Sequence, residues 1–110
     1  MVKAIALIKR KPGLSREEFR KHYEEVHAPM ALKYLPSFKR YVRNYVITPP
    51  GGEEPEFDCI TEIWYDDMQG YQESLGFYGT DAGRILREDD ESISDTSKFF
   101  FFLVEEKVSK

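Results

Sequence analysis

The chain has 110 residues, enough for one hydrophobic core and too few for two, so a single domain over 1–110 is expected. Its 16 basic and 20 acidic side chains leave a formal charge of −4, a mild acidic excess that argues against nucleic acid or an anionic membrane as partner. One cysteine, Cys59, excludes an internal disulfide and a cysteine-built zinc site, and the expected setting is a reducing, cytoplasmic one.

Val2 to Lys9 is short and rich in branched residues, and reads as a strand. No charged leader with a long apolar stretch precedes it, so no signal peptide is expected. Pro12-Gly13 then breaks the chain. Ser15 followed by Glu18 has the spacing of a capping box, and Leu14 with Phe19 has that of a hydrophobic staple. A helix therefore starts here, with Phe19, Tyr23, Val26 and Met30 on one face. Pro29 disfavours helical geometry at Ala28, which predicts an end or bend near His27. Pro29 can open a second short helix, with Leu32 and Leu35 inward, that Pro36 stops.

Residues 38–47 are full of β-formers and predict a second strand. Thr48 to Glu56, with three prolines and two glycines, can only be an exposed loop. Residues 57–65 predict a third strand, antiparallel to the second. Asp66 or Asp67 caps a helix carrying Met68, Tyr71 and Leu75 inward, interrupted at Gly76 and Gly79. Thr80 or Asp81 restarts a helix with Ala82, Ile85, Leu86 and Asp89 on one face. Residues 89–97 read as a polar link to a last strand over 98–107.

This order predicts an α+β fold: a ferredoxin-like βαββαβ unit with a four-stranded antiparallel sheet and its helices on one face. Such a sheet should alternate apolar and polar residues, and these strands do not. Ile5 and Leu7 oppose Ala4, Ala6 and Ile8; Phe57, Ile63 and Tyr65 oppose Ile60 and Trp64; Phe99, Phe101 and Leu103 oppose Phe100, Phe102 and Val104. Each large side chain left wet forgoes roughly 1.5–3 kcal/mol. A second copy of the chain is the simplest cover, so a homodimer with the form of a dimeric α/β barrel is expected.

Aromatic residues make up 15% of the chain, a surplus that predicts either a ring-rich core or apolar surface kept for a small hydrophobic molecule. His27, at the helix break and beside the apolar stripe, is the first candidate to move a proton, or else it satisfies the last carbonyls of the helix. His22 and His27 differ by roughly 140° on an α-helix, so a shared metal is rejected and His22 is expected to face solvent. Glu62, between Ile60 and Trp64, either has a raised pKa suited to acid–base work or pairs with a cation across the sheet. Tyr41, Tyr45, Tyr65 and Asn44 could orient a substrate or stabilise an enolate, or simply pack and satisfy the backbone. Asp89-Asp90-Glu91 matches no calcium loop and reads as a solvated helix end. The sequence contains no dinucleotide glycine pattern and no phosphate loop, so no cofactor is expected. The longest apolar run, Phe99 to Val104, is far too short for a membrane span.

The stretch Lys11 to Met30, with its KPGLS, EEF, HY and VHAP groups, strongly resembles the opening of the EthD family, named for ethyl tert-butyl ether degradation. Tyr41, Asn44, Glu62-Ile63-Trp64-Tyr65, Asp89-Asp90 and Leu103-Val104-Glu105-Glu106 extend the likeness over almost the whole chain. The resemblance implies a dimeric α/β barrel. It also implies kinship with cofactor-free monooxygenases, polyketide cyclases and dehydratases, and a lactone isomerase, which act on hydrophobic or aromatic molecules. The family's HAP motif falls on His27, Ala28 and Pro29, which makes His27 the candidate catalytic residue. Tyr23, Tyr41, Asn44, Glu62 and Trp64 are the candidate substrate-binding residues. Proton abstraction would open either a cofactor-free oxygenation or a non-oxidative cyclisation, dehydration or isomerisation; a non-catalytic carrier of an apolar ligand is the other reading. Related barrels also include haem binders, for which His27 would be the axial ligand.

Overall fold

The computed structural model describes Met1–Lys110. Strands β1 (Val2–Ile8), β2 (Arg40–Tyr45), β3 (Cys59–Tyr65) and β4 (Phe100–Val104) form one sheet in the order β2-β3-β1-β4. Every neighbouring pair is antiparallel. Helices α1 (Arg16–His22), α2 (Ala28–Tyr34), α3 (Met68–Tyr78) and α4 (Arg84–Ile93) complete a ferredoxin-like α+β unit. The strands run shorter than the sequence pattern suggests, because Phe38, Ile47, Phe57 and Lys107 fall outside the paired register.

The capping box forms as expected: Ser15 Oγ accepts from the Glu18 amide, and the Glu18 carboxylate accepts from the Ser15 amide. Asp67 caps α3 through the Gly70 amide, and α3 runs unbroken past Gly76 to a C-cap at Gly79. Met68 and Leu75 are about half exposed rather than inward, as are Leu32 and Ile85, while Val26 is also exposed. The end of α2 at Leu35, ahead of Pro36, agrees with the sequence.

The break expected at His27 does not occur. Tyr23–His27 forms a π-helical segment that joins α1 to α2 without interruption, and Ala28 is helical despite the proline that follows. The Ala28 amide donates to the Tyr23 carbonyl, five residues back. A proline in a helix interior has no N–H to give, and its ring crowds the carbonyl one turn earlier. The wider π turn lies in that preceding turn, so the chain widens where a break was expected. Glu24 ties the segment to β2: Arg43 Nε and Nη2 each donate to its carboxylate at 2.9 Å, and the Tyr45 hydroxyl donates as well. The Arg43 fork is the main reason the Glu24 carboxyl is lowered to about 2.

Alternation in the strands sorts the sheet into two faces. Ala4, Ala6, Thr61, Ile63 and Tyr65 point toward the helices and are buried. Ile5, Leu7, Ile60, Phe100 and Phe102 point away, and the two phenylalanines are 47% and 48% exposed. Phe57 leaves the strand before β3 begins, and its ring packs edge-on against Phe100 on this outer face, not beside Ile63.

Candidate functional site

The central strand β1 turns Val2, Ala4, Ala6 and Ile8 toward the helices, with the two alanines at its middle, whereas its neighbours turn rings there. Small residues on the axis with large ones on the flanks leave a gap between sheet and helices. That gap is a cavity of about 240 Å³, with aromatic walls that include Phe38, Tyr65, Phe99 and Phe101. A larger hollow, about 480 Å³, lies at the end of the sheet beside Lys3, Trp64 and Glu106. It is the poorer candidate, because His27, Tyr23 and Tyr41 line the inner cavity instead, and Lys3 is held by Glu62 at 2.6 Å and by Glu106 at 2.7 Å.

Two polar groupings enter the inner cavity. On the sheet side the Tyr41 hydroxyl donates to the Tyr23 hydroxyl at 3.1 Å, and Tyr23 lies 2.8 Å from Thr61 Oγ1. Burial pushes both phenols well above their ordinary range, so they remain protonated donors. On the helix side His27 stands between two aspartates of α4. Its Nδ1 is 2.8 Å from Asp89 Oδ2 and its Nε2 is 3.0 Å from Asp90 Oδ1. Asp90 also accepts from the Tyr78 hydroxyl at 2.5 Å.

A neutral imidazole has one N–H, so donation to both carboxylates requires the charged ring. Desolvation is the largest single influence on His27 and lowers its pKa; the Asp90 and Asp89 interactions together outweigh it, and the net shift is upward. In this doubly paired, charged form neither ring nitrogen has a lone pair with which to ligate a haem iron.

Of the residues read from the sequence, His27, Tyr23, Tyr41 and Tyr65 line the cavity, while Tyr45 lies outside it and gives its hydroxyl to Glu24. Asn44, Glu62 and Trp64 do not line it: the pairing of β2 with β3 puts all three on the outer face. There Glu62 takes hydrogen bonds from Lys3 and Asn44, which lower its pKa: of its two readings, the pair with a cation across the sheet holds and the raised pKa does not. Trp64 instead lies under the cations of Lys3 and Arg40, at 4.5 and 4.9 Å from its ring centroid.

Asp89 and Asp90, read as a solvated helix end, lie inside α4 and supply the partners of His27. Asp90 was legible: Leu86, Asp90 and Ile93 have the i, i+4, i+7 spacing of one helix face, and both apolar members are buried. Thr61 and Tyr78 carried no signal, since a lone threonine in a strand or tyrosine at a helix end is most often structural.

The EthD domain model matches residues 11–97. The chain belongs to the EthD family. An EthD family protein of Bacillus halodurans C-125 is 27% identical, with a TM-score of 0.72 over 97% of this chain and 99% of that one. A dimeric protein of Bacteroides fragilis with a ferredoxin-like fold is 11% identical, with a TM-score of 0.64 over 94% of each chain. A hydroxynitrile lyase of Passiflora edulis is 14% identical, with a TM-score of 0.63 over 97% of this chain and 95% of that one. At such identities the last two establish the shared fold alone. No curated protein sequence matches this EthD chain significantly. No helix in it is long and apolar enough to cross a membrane.

Proposed function

We propose that this EthD protein is an enzyme that moves a proton to or from a hydrophobic, aromatic small molecule held between sheet and helices. The observation that carries this reading is the placement of His27 and Asp90 on the wall of a largely apolar cavity. A 150 Å³ apolar cavity accepts benzene, so about 240 Å³ suits one ring with substituents or two fused rings.

The step is a simple exchange of protons. In the neutral ring, with Nδ1–H held by Asp89, Nε2 no longer donates to Asp90 and offers its lone pair at the cavity wall that His27 and Asp90 share. It takes one proton from an activated C–H or O–H of the substrate, leaving a substrate anion and an imidazolium between two carboxylates. A phenolic O–H can flip between its two in-plane orientations, so Tyr41 can redirect its proton from Tyr23 to a developing oxyanion. The anion is the common starting point for cofactor-free oxygenation and for cyclisation, dehydration or isomerisation. Because the His27 pKa lies above 6.5, abstraction should quicken as pH rises past that value and level off once the ring is neutral.

Deuterium exchange into enolisable aromatic ketones and phenols in D2O, followed by NMR, tests this step directly, whichever reaction follows it. The wild type is expected to accelerate exchange, and His27→Gln to slow it by roughly 10²–10⁴-fold while remaining folded. An unchanged rate in His27→Gln would remove His27 from the mechanism. Tight binding of such molecules with no exchange would favour a carrier.

We also infer that two copies pair through the outer sheet face. Support comes from Phe100 and Phe102, each about half exposed on a face that no helix covers, and from the dimeric state stated for the Bacteroides fragilis protein of the same fold. Light scattering should give twice the mass of one chain for the wild type. Phe102→Glu, which places a charge on that face beside Ile5, should give the mass of one. A monomeric wild type at micromolar concentration would exclude the pairing.

A further inference from the structure

The seam between the first helical segment and α4 holds a second histidine that the proton transfer above leaves unused. His22 Nε2 lies 2.8 Å from Asp89 Oδ1, while His27 Nδ1 lies 2.8 Å from Asp89 Oδ2. One carboxylate thus joins two imidazoles, one through each oxygen. The side chains of His22, Asp89 and His27 are 34%, 11% and 9% exposed, so the series runs from solvent inward to the cavity wall. On a regular α-helix, residues five apart diverge by about 140° and could not meet one carboxylate in this way. The π segment Tyr23–His27 adds the extra residue per turn that brings them to the same side.

We propose that His22 is a positioning residue for His27: through Asp89 it holds the inner imidazole with Nε2 toward Asp90 and the cavity, and it sets how readily that ring takes a proton. The inference rests on the reading of His27 as the proton-transfer group, and adds the means by which that group is oriented and tuned. A carboxylate that already accepts a hydrogen bond on one oxygen attracts a proton less strongly at the other. When His22 is itself protonated, its charge opposes a second charge across the same carboxylate. Both influences act in one direction: His22 restrains the protonation of His27.

The other groups facing His27 do not offer a second route. Asp89 and Asp90 approach from α4, and Tyr23 on its own helix meets it edge-on at 5.4 Å. Tyr78 of α3 reaches it only through Asp90, and from the sheet the Tyr41 hydroxyl is bonded to Tyr23. Among these, Asp89 alone also binds His22.

Imidazole NMR titration of the folded protein reads the coupling directly, with no substrate present. In His22→Leu the His27 midpoint is expected to rise by roughly half a pH unit or more, the equivalent of losing one hydrogen bond at Asp89. His22→Gln keeps an amide donor for Asp89 and should bring the midpoint back toward the wild-type value. A His27 midpoint in folded His22→Leu equal to the wild type would overturn the proposal. If that variant does not fold, His22→Ala, which removes the donor without adding bulk to the seam, is titrated in its place, and an unmoved His27 midpoint there overturns the proposal equally. Deuterium exchange separates the two readings. A shifted midpoint with unaltered exchange in His27→Gln would retain the coupling and reject His27 as the base.

Discussion

Asp89→Asn should destabilise the protein by about 2–3 kcal/mol near pH 6 and by distinctly less near pH 9, measured as the urea midpoint at each pH. The carboxylate accepts from His22 on one oxygen and from His27 on the other. An asparagine of the same shape offers one acceptor and an NH2 group, so one imidazole finds a donor facing its own N–H and must give up its proton. Asp90 remains beside His27, which keeps the loss below that of a fully unpaired buried charge.

The pH dependence follows from linkage. The folded-state pKa of His27 is raised, so the stabilisation its pairing provides is complete below the unfolded value of about 6.5 and is lost as pH climbs through the higher folded value. Removing a partner therefore costs most where the ring is charged and less where it is neutral. An equal loss at both pH values would mean that His27 does not change its charge between them.

Gly83→Ala is the second change with a large expected effect, about 3 kcal/mol in the denaturant midpoint. A Cβ built on Gly83 would overlap the Phe77 carbonyl oxygen and stand 2.8 Å from that of Tyr78. Neither is the end of a flexible side chain; both belong to the last turn of α3. The backbone of α4 begins against that turn, and Arg87 reinforces the junction by donating to the carbonyls of Tyr78 and Thr80. A methyl group there forces α4 away from α3. Because Asp89 and Asp90 ride on α4, the displacement should also lower the NMR midpoint of His27 toward that of an ordinary buried histidine.

The opening helix shows how far local chemistry reaches. Ser15 and Glu18 fix its start through bonds between residues three apart, and such bonds depend on nothing distant. Pro36 likewise stops α2 by its own covalent geometry. The two apolar faces of the sheet were legible because alternation in a strand has a period of two whatever surrounds it. Those features determined the ferredoxin-like unit.

The site was legible only in part. His27, Tyr23 and Tyr41 stand out through the apolar stripe, the β-formers and the family motif, and all three line the cavity. Asn44, Glu62 and Trp64 were expected beside them, yet alternation sets them opposite Tyr41, Ile63 and Tyr65, and the helices cover the face of the latter three. Pro29 suggested a break where the chain instead widens into a π segment, held in place by Glu24 and its fork to Arg43 on β2, a contact 19 residues distant.

By itself the sequence determined the order of elements, their caps, the doubly apolar sheet and the presence of a histidine at the turn before a proline. Each of these is set by neighbours within a few residues or by a strict period. Tertiary structure decided what that histidine touches. Asp89 and Asp90 lie 62 and 63 residues further along, and the close approach of α4 to α3 at Gly83 brings them to it. A bond across that separation depends on packing between elements, which no local pattern encodes.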